Sequence, residues 1–429
     1  MLFKIKKFKF SQYFQNIAIV LTGGFIAQTI PLFVSPIISR IYSPSDFGLF
    51  AIIYGIASFF GVFSMGKFDG AIYLTNDIVK IRKIINLCLK LLIISLAILL
   101  VLIVSFNKRI ANIFEIQDNS SSLYFVPLIT FLASIYLILN TVLIKEKKFR
   151  VNSSNKVLQS SFNAGSQLLY SLFRVNYVGL ILGQVSSLAI ASINIVLRGN
   201  IFKKYFYNNK VSNFELKKIF TEYKKFFVYD VPSNLFNFAS SQIPIFTFSI
   251  IFDLKILGAY AFANKILLMP VNLLSKSVVE VFKNQSSEDY LNTGNCRKVY
   301  KQTFYTLFLL GIVPFSLLFF FGSDLFVWVF GQNWAEAGRI VEIIAPAVFF
   351  KLVSSPLTYT FYLAGKQNYD ALMQGIYFFL TILIIWFSYY NKNLENTMIL
   401  ISILNSILYI IYLFFSFKFT KNENTKISN

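Results

Sequence analysis

"SRIYSPSDFGLFAI", Ser39 to Ile52, is a short polar elbow set between two long apolar runs. Arg40, Pro44, Asp46 and Gly48 fall within it before the sequence turns oily again. A second phrase of the same build, "SIIFDLKILGAYAF", spans Ser249 to Phe262, about half a chain later. At an offset of 210, Ile41, Gly48, Ala51 and Ile56 match Ile251, Gly258, Ala261 and Ile266, and Tyr42 and Phe50 face Phe252 and Tyr260. Three more matches follow in order. "IRKI" (Ile81–Ile84) meets "CRKV" (Cys296–Val299) at 215, "NIF" (Asn112–Phe114) meets "WVF" (Trp328–Phe330) at 216, and "FVPLITF" (Phe125–Phe131) meets "IAPAVFF" (Ile344–Phe350) at 219. A smoothly drifting offset is what small loop insertions leave behind in a duplicated chain.

The repeated unit is a set of membrane spans. With 56% hydrophobic and 14% charged residues over 429 positions, the chain holds more apolar surface than soluble cores can hide. A spanning helix needs about 20 mostly apolar residues. Twelve such stretches are expected: Tyr13–Ser35, Phe47–Met65, Ile84–Phe106, Ser122–Ile144, Asn155–Phe173, Tyr177–Leu197, Phe226–Phe252, Gly258–Phe282, Gln302–Gly322, Arg339–Tyr362, Ala371–Tyr390 and Asn396–Phe417. The first follows four lysines (Lys4, Lys6, Lys7, Lys9). It runs too long, and lacks the small-residue cleavage site, for a removable signal peptide.

Charge assigns the sides. Of 40 basic residues, 29 fall in the N-terminal segment, the alternate loops and the C-terminal segment, while seven (Arg40, Lys108, Arg109, Arg174, Lys255, Arg339, Lys392) fall in the other loops. Under the positive-inside rule both termini are cytoplasmic. The net charge of +21 is therefore a topology signal, and nucleic-acid binding loses its support. No histidine is present, which removes the usual metal ligand and general base. Cys88 and Cys296 sit near expected cytoplasmic helix ends and imply no disulfide framework.

These readings give an all-α polytopic membrane protein of two parallel six-helix lobes: 1–200, then a basic cytoplasmic linker 201–225, then 226–429. Six spans per half start both halves on the same face, so the repeats are related by an axis along the membrane normal. That is a transporter architecture, with substrate between the lobes.

Several spans carry polar residues on one helical face. Asn163 and Tyr170 belong to the fifth span's stripe, which ends near Arg174; Asp230 and Asn237 belong to the seventh, Lys265 and Lys276 to the eighth, Lys351 and Tyr362 to the tenth. A charge at mid-bilayer costs at least about 2.5–3.5 kcal/mol, so such faces line a wet cavity or pack on one another. Ser, Thr and Asn stripes serve equally as helix glue. Lys276 can pair with Glu280 one turn on, whereas Lys265 has no acidic partner near it on its own helix. Lysines facing a cavity suit an anionic ligand, and the tyrosines suit sugar rings or lipid chains. Asp230, the carboxylate of the seventh span's polar face, is a candidate ion-coupling site or a partner for a nearby lysine. Lys90 reads as a snorkelling cation.

The elbow resembles the signature after the first helix of the multidrug/oligosaccharidyl-lipid/polysaccharide (MOP) flippase superfamily. "FGQNWAEAGRIVEIIAPAVFF" (Phe330–Phe350) is similar to the signature near its tenth helix. The likeness is nearest to the polysaccharide branch, the O-antigen or capsule flippases of Wzx type. It implies a MATE-like two-lobed bundle in the bacterial inner membrane. It implies transport of undecaprenyl-pyrophosphate-linked oligosaccharides from the cytoplasmic to the periplasmic leaflet by alternating access, without catalysis, metal or cofactor. Membrane lipids, and a polysaccharide polymerase with its chain-length regulator, are the implied partners. Lys265, Lys276, Lys351 and Arg174 would hold the pyrophosphate.

A drug or cation antiporter of the same superfamily predicts acidic cavity residues instead. A membrane polysaccharide polymerase or glycosyltransferase predicts a large external loop with catalytic side chains, and no outer loop here exceeds about twenty residues. A scaffold without transport leaves the polar stripes without a purpose.

Overall fold

The computed structural model describes residues 12–206 and 211–421, and within them the side chains of all but residues 12–21 and scattered positions on three later helices. Expectations resting on Lys4, Lys6, Lys7, Lys9, Lys210 and Lys426 lie outside the described residues.

In chain order the helices are α1 (Gln12–Ile41), α2 (Pro44–Phe63), α3 (Ile78–Ile113), α4 (Phe125–Lys145), α5 (Phe149–Ser171), α6 (Tyr177–Gly199), α7 (Phe202–Tyr205) and α8 (Asn213–Glu222). They continue as α9 (Val231–Ile251), α10 (Leu254–Thr293), α11 (Arg297–Phe330), α12 (Ala335–Ser354), α13 (Tyr359–Leu363), α14 (Gln367–Asn391) and α15 (Leu394–Lys418). Among the described residues, twelve helices reach twenty residues, and each overlies an expected span. Ten helical stretches are also apolar enough to cross a membrane. The two expected spans outside that set are Asn155–Phe173, on α5, and Phe226–Phe252, on α9, where Gln242–Ile251 forms a shorter apolar helix. On α5 the reason is composition: the Asn, Ser and Gln stripe offsets its apolar residues.

The duplication is exact at the elbows. α1 ends at Ile41 and α9 at Ile251; α2 begins at Pro44 and α10 at Leu254, an offset of 210 each time. Each elbow is an N-cap. Ser43 and Asp46 form a reciprocal capping pair, with the Ser43 amide donating to Asp46 Oδ2 at 3.0 Å and the Asp46 amide to Ser43 Oγ at 3.2 Å. In the second elbow the Asp253 side chain accepts from the Ile256 amide at 2.7 Å. Pro44 fits the first helical position because its missing N–H would be unpaired there in any case.

The chain divides into two compact units. The first comprises Met1–Val34, Ile53–Ala111 and Gln117–Phe238. Its apolar core includes Met65 and Phe68 of the turn after α2, Ile84 and Cys88 of α3, Val142 of α4 and Ile195 of α6. The basic stretch 201–225 is helical over α7 and α8 and belongs to this unit. Ser212 and Glu215 close a capping box at the start of α8. The helix buries Leu216 and Ile219 in the core and is riveted to α3 by Lys80–Glu222 (2.5 Å) and Lys83–Glu215 (2.6 Å). Lys90, read as a snorkelling cation, donates to Asn213 Oδ1 at 2.7 Å.

The second unit comprises Ser35–Ile52, Asn112–Ile116 and Ala239–Asn429. Its centre near the elbows is aromatic. The Trp334 ring lies 4.1 Å from Phe262 and 5.2 Å from Phe47, and the Trp334 indole N–H donates to Ser39 O at 2.7 Å. The tenth span is broken: Pro356 interrupts the ladder, and α12 stops at Ser354 before α13 resumes at Tyr359.

The repeat shows again at the opposite ends of the helices. Arg82 donates from Nε to Lys204 O, just past α6, at 2.8 Å; its counterpart Arg297 donates from Nε to Thr420 Oγ1, just past α15, at 3.3 Å. Each half ties the start of its third long helix to the end of its sixth.

Candidate functional site

The expected site residues fall in both units. In the second, Lys265 projects from α10 with an exposed side chain, and Lys351 lies half-buried on α12, which packs against α10. Neither has an ion pair or hydrogen bond among the described residues, in contrast to Lys80, Lys83 and Lys204, each bonded to a glutamate. Lysine inside a span is costly unless water or a ligand meets it. The side chain of Lys276 lies outside the described residues, as does that of Glu280. Tyr362 on α13 is 57% exposed and stacks with Tyr359, their rings 6.1 Å apart.

A polar seam that the sequence reading did not single out adjoins these lysines in the second unit. On α14, Asp370, Gln374, Tyr377 and Thr381 recur at helical spacing. Tyr412 of α15 donates to Asp370 Oδ1 at 2.5 Å, and Gln374 donates to the Tyr412 hydroxyl at 3.3 Å. Tyr377 lies beside Asn405 and Tyr409 of α15 and beside Tyr260 of α10. Asn264, next to Lys265, donates to the Tyr260 hydroxyl at 3.3 Å. The spacing was in the sequence, but α14 carries no lysine to draw attention to it.

In the first unit the polar stripe of α5 is largely committed to α6. Asn163 donates to Gln184 Oε1 at 2.8 Å, Ser186 to Ser166 at 2.9 Å, and Asn194 to Asn155 at 2.8 Å. Gly183 makes this possible: a Cβ there would strike the Gln167 side chain. Asn163 is thus helix glue through its amide nitrogen, the packing role such stripes often fill. Tyr170 is 38% exposed at the far end of α5, and Arg174 follows it in an exposed loop. Asp230 is exposed on a single π-helical turn, Phe226–Asp230, and its carbonyl accepts from Asn234 at 2.7 Å. The side chain of Asn237 lies outside the described residues. Among the described residues there is no cluster of metal-ligating side chains.

The second unit thus carries two lysines and a group of tyrosines on α10, α12, α13, α14 and α15.

Comparison with known proteins gives the family and the fold. A family model described as polysaccharide biosynthesis protein matches residues 37–339. No curated protein sequence matches the chain. Among solved structures, the lipid II flippase MurJ in an inward closed conformation is similar, with a TM-score of 0.73 at 16% identity over 94% of this chain and 87% of that one. An inward-facing MATE family multidrug resistance transporter of the MOP superfamily gives 0.57 at 13% identity over 96% and 99%. A MOP superfamily transporter from Pyrococcus furiosus gives 0.53 at 13% identity over 94% of each chain. At these identities the likeness speaks for the fold, while the family model speaks for the lineage. The chain is a multi-pass membrane protein with a MOP-type fold, and it belongs to the polysaccharide biosynthesis protein family.

Proposed function

We propose that the protein is a flippase, not an enzyme, for lipid-linked oligosaccharides. It carries undecaprenyl-pyrophosphate-linked repeat units of an O-antigen, capsule or exopolysaccharide from the cytoplasmic to the periplasmic leaflet of a bacterial inner membrane. It does so by alternating access, with both termini cytoplasmic, and hands the units to a polymerase and its chain-length regulator. The reading is supported above all by the two unpaired lysines, Lys265 and Lys351, in a chain of the polysaccharide biosynthesis family. A pyrophosphate needs cationic neutralisation to leave the interface, and a drug or cation antiporter has no use for it. Lys276 and Arg174 extend the cationic set, Asn237, Tyr170 and Tyr362 meet sugar or lipid, and Asp230 couples transport to an ion.

The test is export in a strain that depends on this protein. The Lys265→Ala/Lys351→Ala double variant should insert normally yet abolish surface polysaccharide and accumulate the lipid-linked unit inside. Full export by the double variant overturns the reading.

A further inference from the structure

In the first unit, α1 and α5 meet at Gly23 and Ser153. A Cβ at Gly23 would overlap the Ser153 hydroxyl, so only glycine lets the two backbones come this close. Beside that contact lies a shallow, open recess of about 610 Å³. Its polar end is made by Thr22 of α1 with Arg150 and Ser154 of α5; one turn further along each helix the lining becomes Ile26 and Val157.

Three features converge on one ligand chemistry. Arg150 is exposed and has no ion pair or hydrogen bond among the described residues, and no carboxylate lines the recess. Its guanidinium therefore offers a full fork of donors, the geometry that suits a phosphate. Arg150 lies in the first turn of α5, directly after the basic turn that holds Lys145, Lys147 and Lys148, which is where an interface between water and hydrocarbon falls. The change from hydroxyls and cation to Ile26 and Val157 within one turn matches an amphiphile, charged at its head and apolar immediately behind.

We propose that Arg150, with Thr22 and Ser154, forms a binding site for the phosphate of an anionic membrane lipid, whose chain starts along Ile26 and Val157. Basic recesses between membrane helices hold anionic headgroups in this way. The site uses residues of the first unit alone and stands whether or not the protein is a flippase.

Purified full-length protein in detergent, titrated with phosphatidic acid, phosphatidylcholine or inorganic phosphate and read by native mass spectrometry, tests this. Phosphatidic acid should be retained at least tenfold more strongly than phosphatidylcholine. Arg150→Gln should lower that retention about tenfold, a loss of about 1.4 kcal/mol, and Arg150→Lys should restore part of it. Millimolar inorganic phosphate should not compete, because it gains nothing from Ile26 and Val157. Val157→Trp, which leaves the arginine intact and fills the apolar end, should weaken lipid retention as well. Equal retention by wild type and Arg150→Gln, equal binding of the two lipids, or displacement by inorganic phosphate would each overturn the assignment.

Discussion

Gly48 of α2 and Gly258 of α10 lock the two elbows together reciprocally: a Cβ on Gly48 would strike the Leu254 carbonyl, and a Cβ on Gly258 the Pro44 carbonyl. All four positions are related by the same offset of 210, so each glycine meets the first helical residue of the other's elbow. A contact in which i meets j and the copy of j meets the copy of i is the signature of two-fold symmetry. The duplication thus survives as a contact, not only as a similarity of sequence.

Substituting either glycine should therefore do the same harm. Gly48→Ala and Gly258→Ala each push a methyl into backbone, which cannot swing aside as a side chain can. Each should cost about 1–3 kcal/mol, seen as earlier unfolding in a thermal scan of the detergent-solubilised protein. Gly24→Ala, where nothing lies within 4 Å, is the control and should unfold like the parent. A normal scan for both elbow variants would show that the helices separate at little cost.

Trp334 is fully buried, and its N–H satisfies the carbonyl of Ser39. Trp334→Phe keeps most of the ring packing but strands that carbonyl, a loss of about 1–3 kcal/mol. Trp334→Ala also opens a cavity among Phe47, Phe262 and Phe330 and should cost about 3–5 kcal/mol. Equal stability of the two variants would mean that the hydrogen bond to Ser39, and not the ring packing, carries the effect.

Asp69, in the turn after α2, has an Oδ1 buried without a hydrogen bond. Burial pushes its carboxyl above the ordinary 3.8, while nearby Lys67 pulls the other way. A folded-state value above the unfolded one means that the stabilising contribution is full below 3.8 and is lost as pH rises through the raised value. Asp69→Asn should therefore be more stable than the parent at neutral pH, with the gap closing on acidification. A constant gap across pH would show that folding leaves the Asp69 carboxyl at its unfolded value.

Glu146 behaves in the opposite sense. Burial works against its charge, but hydrogen bonds from Lys204 at 2.7 Å and from the Tyr205 hydroxyl outweigh it and hold the carboxyl below its ordinary value. Its contribution is present above the unfolded value of 4.5 and fades as pH falls through the lowered one. Glu146→Gln should lose stability at neutral pH and little in strong acid. No difference at neutral pH would mark the contact as a screened surface pair.

Asp230→Asn should slow turnover in proteoliposomes while leaving ligand binding intact, if the exposed carboxylate couples an ion to movement. Unchanged transport would remove it from the mechanism.

The elbows, the order of the long helices and their ends were legible because glycine, proline and cap residues act locally. Ser43 and Asp253 cap wherever they stand, so an offset read from letters reappears as an offset between helix ends. The fate of polar stripes was not legible in the same way. Asn163 and the seam running from Asp370 to Thr381 have similar spacing, yet what each meets depends on the facing helix. Asn163 meets Gln184 because Gly183 brings α6 close, while Asp370 meets Tyr412 from α15. Similarly, the lysines of 201–225 announced a polar connection, but the two buried apolar residues of α8 and its glutamates were what seated it on α3.

The buried indole at the elbows gives the molecule an optical reporter of its own. Trp328 and Trp386 are 77% and 62% exposed on membrane-length helices, whereas Trp334 is sealed. Brominated acyl chains should darken the first two and spare the third. The emission that survives would follow the glycine knot alone, with no label attached.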